Sequence, residues 1–434
     1  MKKVLSQFFD KQLRYSPFFY KRLKEVQKLE SLSEAELNSL QEKKLMHLLH
    51  KASHDSMFYA LLYKKHKVNI DKIKSVSDLK YLPVITKHDV VPNREEIFVG
   101  NRFNKIKANT SGTSGYTVRV YRDYQSVVEE GAYQWAHRIK FGHYPGMKTV
   151  VIRANLNIHE KDVYDPFTKT LYLSSYHLKQ ENVEWYYQGI KSFGPNAIFA
   201  YPSSLESLAN FFIQAGKKLT IPVIFTSSET LYSYQREKIE KVFSSRIIDW
   251  YGNAERTIAL KEQEDGIYDQ VPLYSVNEFA PDHIITTGLI NSSFPLIRYK
   301  VDDIVHLDEG TKTNSGERVK EIQGRSDDVL LLPDGTRIGL LCGAFDGVDH
   351  VLLSQIVQED DYTYYVNVVV TDDYGSEDEA LLKKQLEEYI GSNLHYTIRY
   401  VNEDQIIKSK SGKFKLIVNK TQSEKINVQA SVIN

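Results

Sequence analysis

The chain has 434 residues, and its 56 lysines and arginines balance its 56 aspartates and glutamates, so the formal net charge at pH 7 is zero. This length favours two domains, and the balanced charge excludes the basic surplus typical of nucleic-acid binding. A single cysteine, Cys342, excludes an internal disulfide and a metal site built from several thiolates. One cysteine is typical of a reducing compartment, so we expect a cytoplasmic protein. We also expect no signal peptide, because the first residues become charged again too soon for its apolar core, and no membrane span, because no run approaches roughly 18 apolar residues.

The N-terminal part of the chain predicts helices. Ser33 and Glu36 form a capping-box pattern, and leucines such as Leu37, Leu45 and Leu48 follow at helical spacing. We therefore expect a helix after Ser33 that buries its leucine face.

From about residue 148, short apolar runs alternate with helical segments. One predicted helix is capped by Ser203 with Glu206, and another covers roughly 233–243. Strands that alternate with helices indicate a largely parallel sheet covered by helices, whose ligands collect at the carboxyl ends of the strands. The runs that predict strands are 149–153, 197–201, 222–226 and 246–250.

The pattern changes after Gly324. Short strands and a helix that starts at Ser376 predict a small α+β unit. We therefore expect an α/β protein with a large N-terminal domain at 1–324 and a small C-terminal domain at 325–434. The predicted strands of the small domain are 328–332, 352–358, 362–371 and 396–402.

A dense run of hydroxyls and glycines, Thr-Ser-Gly-Thr-Ser-Gly, ends at Gly115. Such a loop can wrap a polyphosphate with its backbone N–H groups. Ser111, Thr113 and Ser114 would supply hydroxyls, whereas Gly112 and Gly115 would allow close approach. The run lacks the lysine and the following helix of a Walker A loop, so taken alone it also fits an ordinary surface turn.

Two acidic segments follow predicted strands. After the strand at 246–250, Tyr251 can stack on a purine, Gly252 lets the chain turn, and Glu255 can hold Mg²⁺, which favours one or two carboxylates plus substrate phosphates. Further along, Asp303 can accept both hydroxyls of a ribose. A solvated turn at Glu255 and an internal salt bridge at Asp303 remain the alternatives.

Two basic positions lie near the C-terminal part of the chain. Arg325 stands where the composition shifts, which indicates either a hinge that can touch a nucleotide or a polar linker. Lys413 lies within Lys-Ser-Gly-Lys-Phe-Lys. That run is either a solvated surface segment or a source of positive charge for phosphates.

Taken in order, these segments resemble the adenylate-forming superfamily of acyl-CoA synthetases, luciferases and peptide-synthetase adenylation domains. The resemblance is strongest to the phenylacetate–CoA ligase branch, which includes related proteins of capsular polysaccharide gene clusters. It covers nearly the whole chain. The supporting stretches are Leu-Pro-Val-Ile-Thr-Lys at 82–87, Ala-Tyr-Pro-Ser-Ser-Leu at 200–205, Thr-Ser-Ser-Glu-Thr-Leu at 226–231 and Pro-Leu-Ile-Arg-Tyr at 295–299.

The resemblance implies a site for ATP and Mg²⁺. It assigns the phosphates to the loop at 111–115 and the metal to Glu255 and Thr113. It places Tyr251 against adenine, and Asp303 and Arg325 on the ribose. The remaining residues that it assigns to the nucleotide are Ser228, Glu229, Asp249, Trp250 and Gly252.

The resemblance also implies a mobile lid and an acid pocket. Asp327 occupies the hinge of the small domain, and Lys413 is the catalytic lysine that contacts the carboxylate and the α-phosphate. Glu255 is assigned to catalysis through the metal. The residues expected to line the acid pocket are Tyr201, Pro202 and Ser227.

The implied activity is ATP-dependent carboxylate activation with release of pyrophosphate, followed by acyl transfer, with CoA as the default acceptor. Transfer to an amine or a sugar in surface polysaccharide assembly is the alternative, and a nucleotide-binding protein without catalysis is the third reading. One departure concerns the phosphate loop. Many relatives place a basic residue after it, where this chain has Val118 with Arg119 beside it.

Overall fold

The structure is a computed structural model, and it describes only part of the chain. Within that part, no helix is both long enough and apolar enough to cross a membrane. The described residues are 15–101, 103, 105–109, 119–153, 160–178, 180–229, 231, 233–322, 329–332, 337–339, 344–345, 348, 350–360, 363–370, 372–391, 394–402, 405–407 and 417–420.

Helices and strands alternate along the chain. The helices are α1 (Pro17–Leu29), α2 (Glu34–Asp55), α3 (Met57–Lys65), α4 (Lys87–Val90), α5 (Arg94–Ile97), α6 (Tyr124–Lys140), α7 (Val183–Phe193), α8 (Pro202–Gln214), α9 (Ser233–Phe243) and α10 (Ser376–Ile390). The strands as far as residue 252 are β1 (Ile106–Asn109), β2 (Arg119–Arg122), β3 (Thr149–Arg153), β4 (Asp162–Asp165), β5 (Thr170–Ser174), β6 (Ala197–Ala200), β7 (Val223–Ser227) and β8 (Arg246–Gly252). The later strands are β9 (Ala259–Glu262), β10 (Tyr268–Gln270), β11 (Ser275–Phe279), β12 (Ile284–Gly288), β13 (Tyr299–Val301), β14 (Val305–Thr313), β15 (Gly316–Ile322), β16 (Val329–Leu331), β17 (Arg337–Gly339), β18 (Val351–Gln358), β19 (Tyr364–Val370), β20 (Tyr396–Tyr400) and β21 (Ile417–Asn419).

The predicted capping box opens α2. The Ser33 hydroxyl accepts the Glu36 backbone N–H, and the Glu36 carboxylate accepts the Ser33 backbone N–H at 2.8 Å. Two of the backbone donors that a helix start leaves unpaired are thereby satisfied. Leu45, Leu48 and Leu49 then lie on the buried face, as the leucine spacing predicts.

The chain divides into two compact units, each made of several segments. The first unit comprises residues 1–108, 118–145 and 248–325, and the second comprises 109–117, 146–247 and 326–434. In the first unit, strands follow the order β14–β15–β10–β9–β8, and their pairings are antiparallel. A separate antiparallel sheet has the order β11–β12–β13.

The second unit contains the predicted parallel strands. β7, β6, β3 and β5 are parallel neighbours, and β4 joins β5 in the antiparallel sense. The register pairs Ile152 with Ala200 and Ala200 with Thr226. Apolar side chains of α7, α8 and α9 pack with those of the strands into one buried cluster. The alternation of strands and helices is therefore confirmed here, and α9 has the predicted bounds.

The predicted start of α8 is wrong by two residues. The helix begins at Pro202 with Tyr201 as its N-cap residue, so Ser203 lies inside the first turn. Proline suits the first helical position because its ring fixes φ and its missing N–H costs no helical bond there. Glu206 has a different task, since it is buried and accepts the Gln235 amide at 2.8 Å and the Lys238 ammonium at 3.0 Å.

The C-terminal part of the chain forms a small α/β domain. Its four-stranded sheet has the order β20–β19–β18–β21, with β18 and β19 antiparallel and the outer pairs parallel. α10 starts at Ser376 as predicted, and the Asp378 carboxylate accepts the Gly375 N–H at 2.9 Å. Leu382, Leu386 and Ile390 of this helix pack with the sheet into a core of their own.

Two histidines are buried in the first unit, where they serve packing. The Nε2 of His137 lies 2.7 Å from the Glu262 carbonyl oxygen, and the ring of His143 stacks on Trp135 with centroids 5.5 Å apart. Burial lowers the pKa of His137 to about 3 and that of His143 to about 4. Both rings are therefore neutral in the folded protein over most of the pH range.

Acid should destabilise the protein partly through these rings. The unfolded chain protonates a histidine near pH 6.5, whereas folded His137 resists protonation down to about pH 3. Lowering the pH through that window should reduce the free energy of unfolding by about 1.4 kcal/mol per pH unit for each such histidine. For His137→Gln, the free energy of unfolding measured in urea between pH 4 and pH 7 should depend less steeply on pH, by the equivalent of about one bound proton. The exposed His66→Gln is the control, and equal slopes in the two variants would contradict the account.

Candidate nucleotide site

The end of β8 directs its successive side chains to opposite faces, as strands do. The Asp249 carboxylate accepts the Tyr268 hydroxyl at 3.0 Å, while the Trp250 ring packs near that of His137, with centroids 5.6 Å apart. Gly252 lies close to its neighbours, because an added Cβ would stand 3.3 Å from the Ile258 carbonyl oxygen. Asp249 and Trp250 are thus engaged by other side chains of the first unit, and Trp250 lies on the face of β8 opposite Tyr251.

Tyr251 and Asp303, which the sequence assigns separately to adenine and ribose, contact each other. The Tyr251 hydroxyl donates to Asp303 Oδ2 at 2.7 Å. Asp303 follows β13 directly, and both residues are half-buried. A hydroxyl–carboxylate bond of this length is charge-assisted and therefore among the stronger hydrogen bonds. It fixes the position of an aromatic ring relative to a carboxylate, which a nucleoside site requires.

Glu255 lies in the same unit and is 6% exposed. Its Oε1 accepts the hydroxyl of the fully buried Tyr299 at 3.0 Å. A carboxylate that is largely removed from water needs such a donor or a cation, because burying the charge is costly. A carboxylate in this position suits Mg²⁺, which binds through one or two carboxylates together with substrate phosphates.

The turn that carries Glu255 is held by neighbours that the sequence analysis missed. The Asn253 side chain both donates to the Thr257 hydroxyl at 2.7 Å and accepts the Thr257 N–H at 2.9 Å. Arg256 adopts a left-handed φ of 57° and donates to the Ser126 carbonyl at 2.8 Å. Non-glycine residues rarely adopt this conformation, so the surrounding contacts hold the turn in one shape.

Arg122 is a further basic residue next to this turn. Its Nη2 donates to the Ala254 carbonyl, whereas its Nε is buried with no hydrogen-bond partner in the described structure. Burial and the charge of Arg256 lower the pKa of Arg122 to about 10, against the attraction of Glu130 and Glu255. The guanidinium therefore remains charged at neutral pH.

Two stretches that carry the sequence resemblance, residues 82–87 and 295–299, contact each other at Tyr299. Ile85 pairs with Tyr299 in a parallel bridge, with hydrogen bonds of 3.0 and 2.9 Å to its two sides. Arg298 donates to both oxygens of Glu278 at 2.9 and 2.8 Å and to the carbonyls of Lys80 and Leu82. These stretches therefore support β13 and, through it, Glu255 and Asp303.

The residues predicted to line an acid pocket lie at the carboxyl ends of strands in the second unit. Tyr201 and Ser227 directly follow the register pair of Ala200 with Thr226, so they are neighbours at one edge of the sheet. Pro202 opens α8 there. Ser228 and Glu229 follow Ser227, and Ser228 has a left-handed φ of 73°.

Arg153 lies at the same carboxyl edge and was missed in the sequence analysis. It is the last residue of β3 and pairs in register with Ser174 of β5. Its guanidinium lies 4.8 Å from the centroid of the Tyr172 ring. A basic residue at the end of a predicted parallel strand is the signal that points to it.

Several predicted site residues lie outside the described residues and stay predictions: Ser111, Gly112, Thr113, Ser114, Gly115, Arg325, Asp327 and Lys413. The chain on either side of Lys413 is described. The buried Gln355 amide donates to the Ile407 carbonyl at 2.9 Å and accepts the Ile407 N–H at 3.1 Å. Gln358 accepts the Asn419 amide at 2.9 Å. One strand, β18, thus anchors both flanks of the Lys413 segment.

The fold of the chain matches that of an adenylate-forming CoA ligase. The crystal structure of 2-hydroxyisobutyryl-CoA ligase in complex with 2-HIB-AMP and CoA matches it with a TM-score of 0.57. That match covers 93% of this chain and 94% of the other at 15% sequence identity. At this identity the likeness concerns the fold, and the predicted α/β architecture with a small C-terminal domain is confirmed.

The sequence comparisons name particular relatives. Residues 330–420 match the CapK C-terminal domain family. The chain is 26% identical to Protein CapK of Staphylococcus aureus over 441 aligned residues, which cover 96% of each protein. It is also 24% identical to the phenylacetate-coenzyme A ligase of Aromatoleum evansii, over 71% of this chain and 74% of that protein. The expected resemblance is confirmed, since its homologues are CapK and the phenylacetate–CoA ligases.

Removing the hydroxyl that faces Glu255 should destabilise the protein. Tyr299→Phe leaves a buried carboxylate without that donor, so the free energy of unfolding should fall by about 1–3 kcal/mol. Tyr63→Phe is a matched control, because the Tyr63 hydroxyl is buried with no hydrogen-bond partner in the described structure. Its removal should be nearly neutral. Equal losses for the two variants in urea unfolding would show that the Tyr299–Glu255 bond contributes nothing specific.

Proposed function

We propose that this protein is an ATP-dependent ligase that converts a carboxylic acid to its acyl-adenylate and then transfers the acyl group to CoA. The observation that carries the proposal is the hydrogen bond between Tyr251 and Asp303. It joins the two side chains assigned to adenine and ribose, far apart in sequence, within the unit that also holds Glu255. The homology to phenylacetate–CoA ligases over most of the chain supports the same activity.

Each side chain of this site has a task in the proposed complex. The ring of Tyr251 packs against adenine, and its hydroxyl orients Asp303 to accept the ribose hydroxyls. Glu255 would hold Mg²⁺ together with Thr113, and a bound Mg²⁺ would neutralise phosphate charge. The nearly buried carboxylate of Glu255 fits that ion, because a cation compensates the charge that the single Tyr299 hydroxyl only partly stabilises.

The first half-reaction joins two anions. A carboxylate oxygen forms a bond to the α-phosphorus of ATP, and the bond from that phosphorus to the bridging oxygen of pyrophosphate breaks. Negative charge builds up between the reactants, so a fixed cation there lowers the barrier. We assign that cation to Lys413, on a segment whose flanks Gln355 and Gln358 anchor.

In the second half-reaction, a thiol that has lost its proton attacks the acyl carbon and AMP leaves. We propose CoA as the thiol, since phenylacetate-coenzyme A ligases are among the homologues. The acid is proposed to bind at the carboxyl edge formed by Tyr201, Pro202 and Ser227. Cytoplasmic ATP and CoA fit the compartment expected from the single cysteine.

ATP–pyrophosphate exchange tests the proposal. The protein is incubated with labelled pyrophosphate, ATP, Mg²⁺ and one carboxylic acid at a time, including aryl, short aliphatic and hydroxy acids. At least one acid should support exchange, and the same acid should drive CoA consumption. Exchange without CoA consumption would contradict the thiol step and favour an amine or sugar acceptor. ATP binding without exchange for any acid would favour a nucleotide-binding protein that lacks catalysis.

Lys413→Ala should slow acid-dependent exchange by roughly 10²–10³-fold, as the loss of one transition-state donor does. Hydrolysis or thiolysis of a supplied acyl-adenylate should change much less, because that step does not need the lysine. Lys420→Ala is the matched control, since Lys420 is ion-paired with Glu359 at 2.7 Å in the same part of the chain. Near-normal exchange in Lys413→Ala would overturn the role assigned to Lys413.

A further inference from the structure

Arg122 holds a buried cation whose hydrogen-bonding capacity is only partly used. One donor reaches the Ala254 carbonyl, next to Glu255, while the Nε donor is buried without a partner in the described part of the chain. A buried donor left unsatisfied costs free energy, more so when it carries charge. An acceptor that arrives with a ligand would remove this cost.

A purely structural task does not require this arginine, because other residues already fix the local backbone. Asn291 donates to the Tyr121 carbonyl at 2.8 Å, and Ser293 donates to the Asp123 carboxylate. Asp123 in turn accepts the Ser126 N–H at 2.7 Å and caps α6. The end of β2 is therefore held on both sides of Arg122 without its guanidinium.

The charges around Arg122 would favour a multiply charged anion once a metal ion is bound at Glu255. Arg256 lies close enough to lower the pKa of Arg122, so two guanidinium groups share one region. Glu130 and Glu255 also attract Arg122, so two carboxylates face the two guanidinium groups. If Glu255 also holds a metal ion, the remaining positive charge needs an anionic partner. Guanidinium groups recognise phosphate oxygens through geometry as well as charge.

We propose that Arg122 binds the β- or γ-phosphate of ATP and stays with pyrophosphate as it leaves. The proposal rests on the proposed function. It identifies Arg122 as the cation that takes the place of the basic residue missing at Val118. Arg119, the other basic residue of β2, is the alternative source of this cation. The odd spacing between Arg119 and Arg122 places their side chains on opposite faces of the strand.

Calorimetric titration with magnesium pyrophosphate, ATP and AMP tests the assignment on the full chain. Arg122→Gln keeps a donor for the Ala254 carbonyl but removes the charge. It should weaken pyrophosphate and ATP binding by about 10- to 100-fold and AMP binding by less than about threefold. Arg122→Lys keeps the charge but not the fork of donors, so its loss should be smaller than that of Arg122→Gln.

Each of the following results would overturn the proposal. If Arg122→Gln weakens AMP binding and pyrophosphate binding equally, Arg122 has a structural role. The same holds if Arg122→Gln greatly lowers the unfolding midpoint and Arg122→Lys restores the midpoint but not the affinity for pyrophosphate. Unchanged pyrophosphate binding, or a larger effect of Arg119→Met, would place the cation elsewhere. If the unsubstituted protein binds neither ATP nor pyrophosphate, the proposed function itself fails, and this assignment fails with it.

Discussion

The buried carboxylate of Glu255 sets the main constraint on this part of the molecule. A charge that is 6% exposed must be compensated, and part of the compensation comes from the hydroxyl of Tyr299 on β13, with Arg122 as an attracting charge nearby. Two contacts hold β13 in the position from which it presents that hydroxyl. Ile85 pairs with Tyr299, and Arg298, the residue before β13, donates to the Glu278 carboxylate and to the Leu82 carbonyl. The stretch at 82–87, which is distant in sequence from Glu255, thus helps to keep the Glu255 carboxylate in place.

β13 also positions a second polar pair, that of Tyr251 with Asp303. Asp303 follows β13, and Tyr251 precedes the turn that carries Glu255, so the two pairs connect the same two segments of the chain. Loss of either contact would loosen both segments. A nucleotide bound as we propose would gain from this arrangement, because side chains that are already oriented lose less conformational entropy on binding.

Periodicity predicted the regular elements well where the apolar residues were continuous. The strands at 149–153 and 222–226 and the helix at 233–243 belong to this group, since both faces of the parallel strands and one face of the helix are buried. The antiparallel strands between residues 259 and 322 were not predicted, and most of them contain charged residues. Lys261, for example, is buried in β9 and paired with Glu30 at 2.5 Å, a partner that no local pattern reveals.

The residues of the candidate site also divide into those that the sequence predicted and those that it did not. Glu255, Tyr251 and Asp303 stand in recognisable motifs, so the sequence resemblance predicted roles for them, and the structure brings them into one unit. Asn253, Tyr299 and Arg122 act through contacts with residues elsewhere in the fold, or with a turn whose shape depends on tertiary contacts. Pattern alone does not predict such contacts. Arg153 is intermediate, because its position at a strand end was visible but its approach to Tyr172 was not.

A double-mutant cycle on Tyr251 and Asp303, read out as AMP affinity, tests the central claim most directly. Tyr251→Phe, Asp303→Asn and the double variant are titrated with AMP under identical conditions. Because Tyr251 orients Asp303, the losses should be non-additive, with a coupling free energy of about 1 kcal/mol or more. AMP affinities that are unchanged, or losses that add to within about 0.3–0.5 kcal/mol, would contradict a nucleoside site built on this pair.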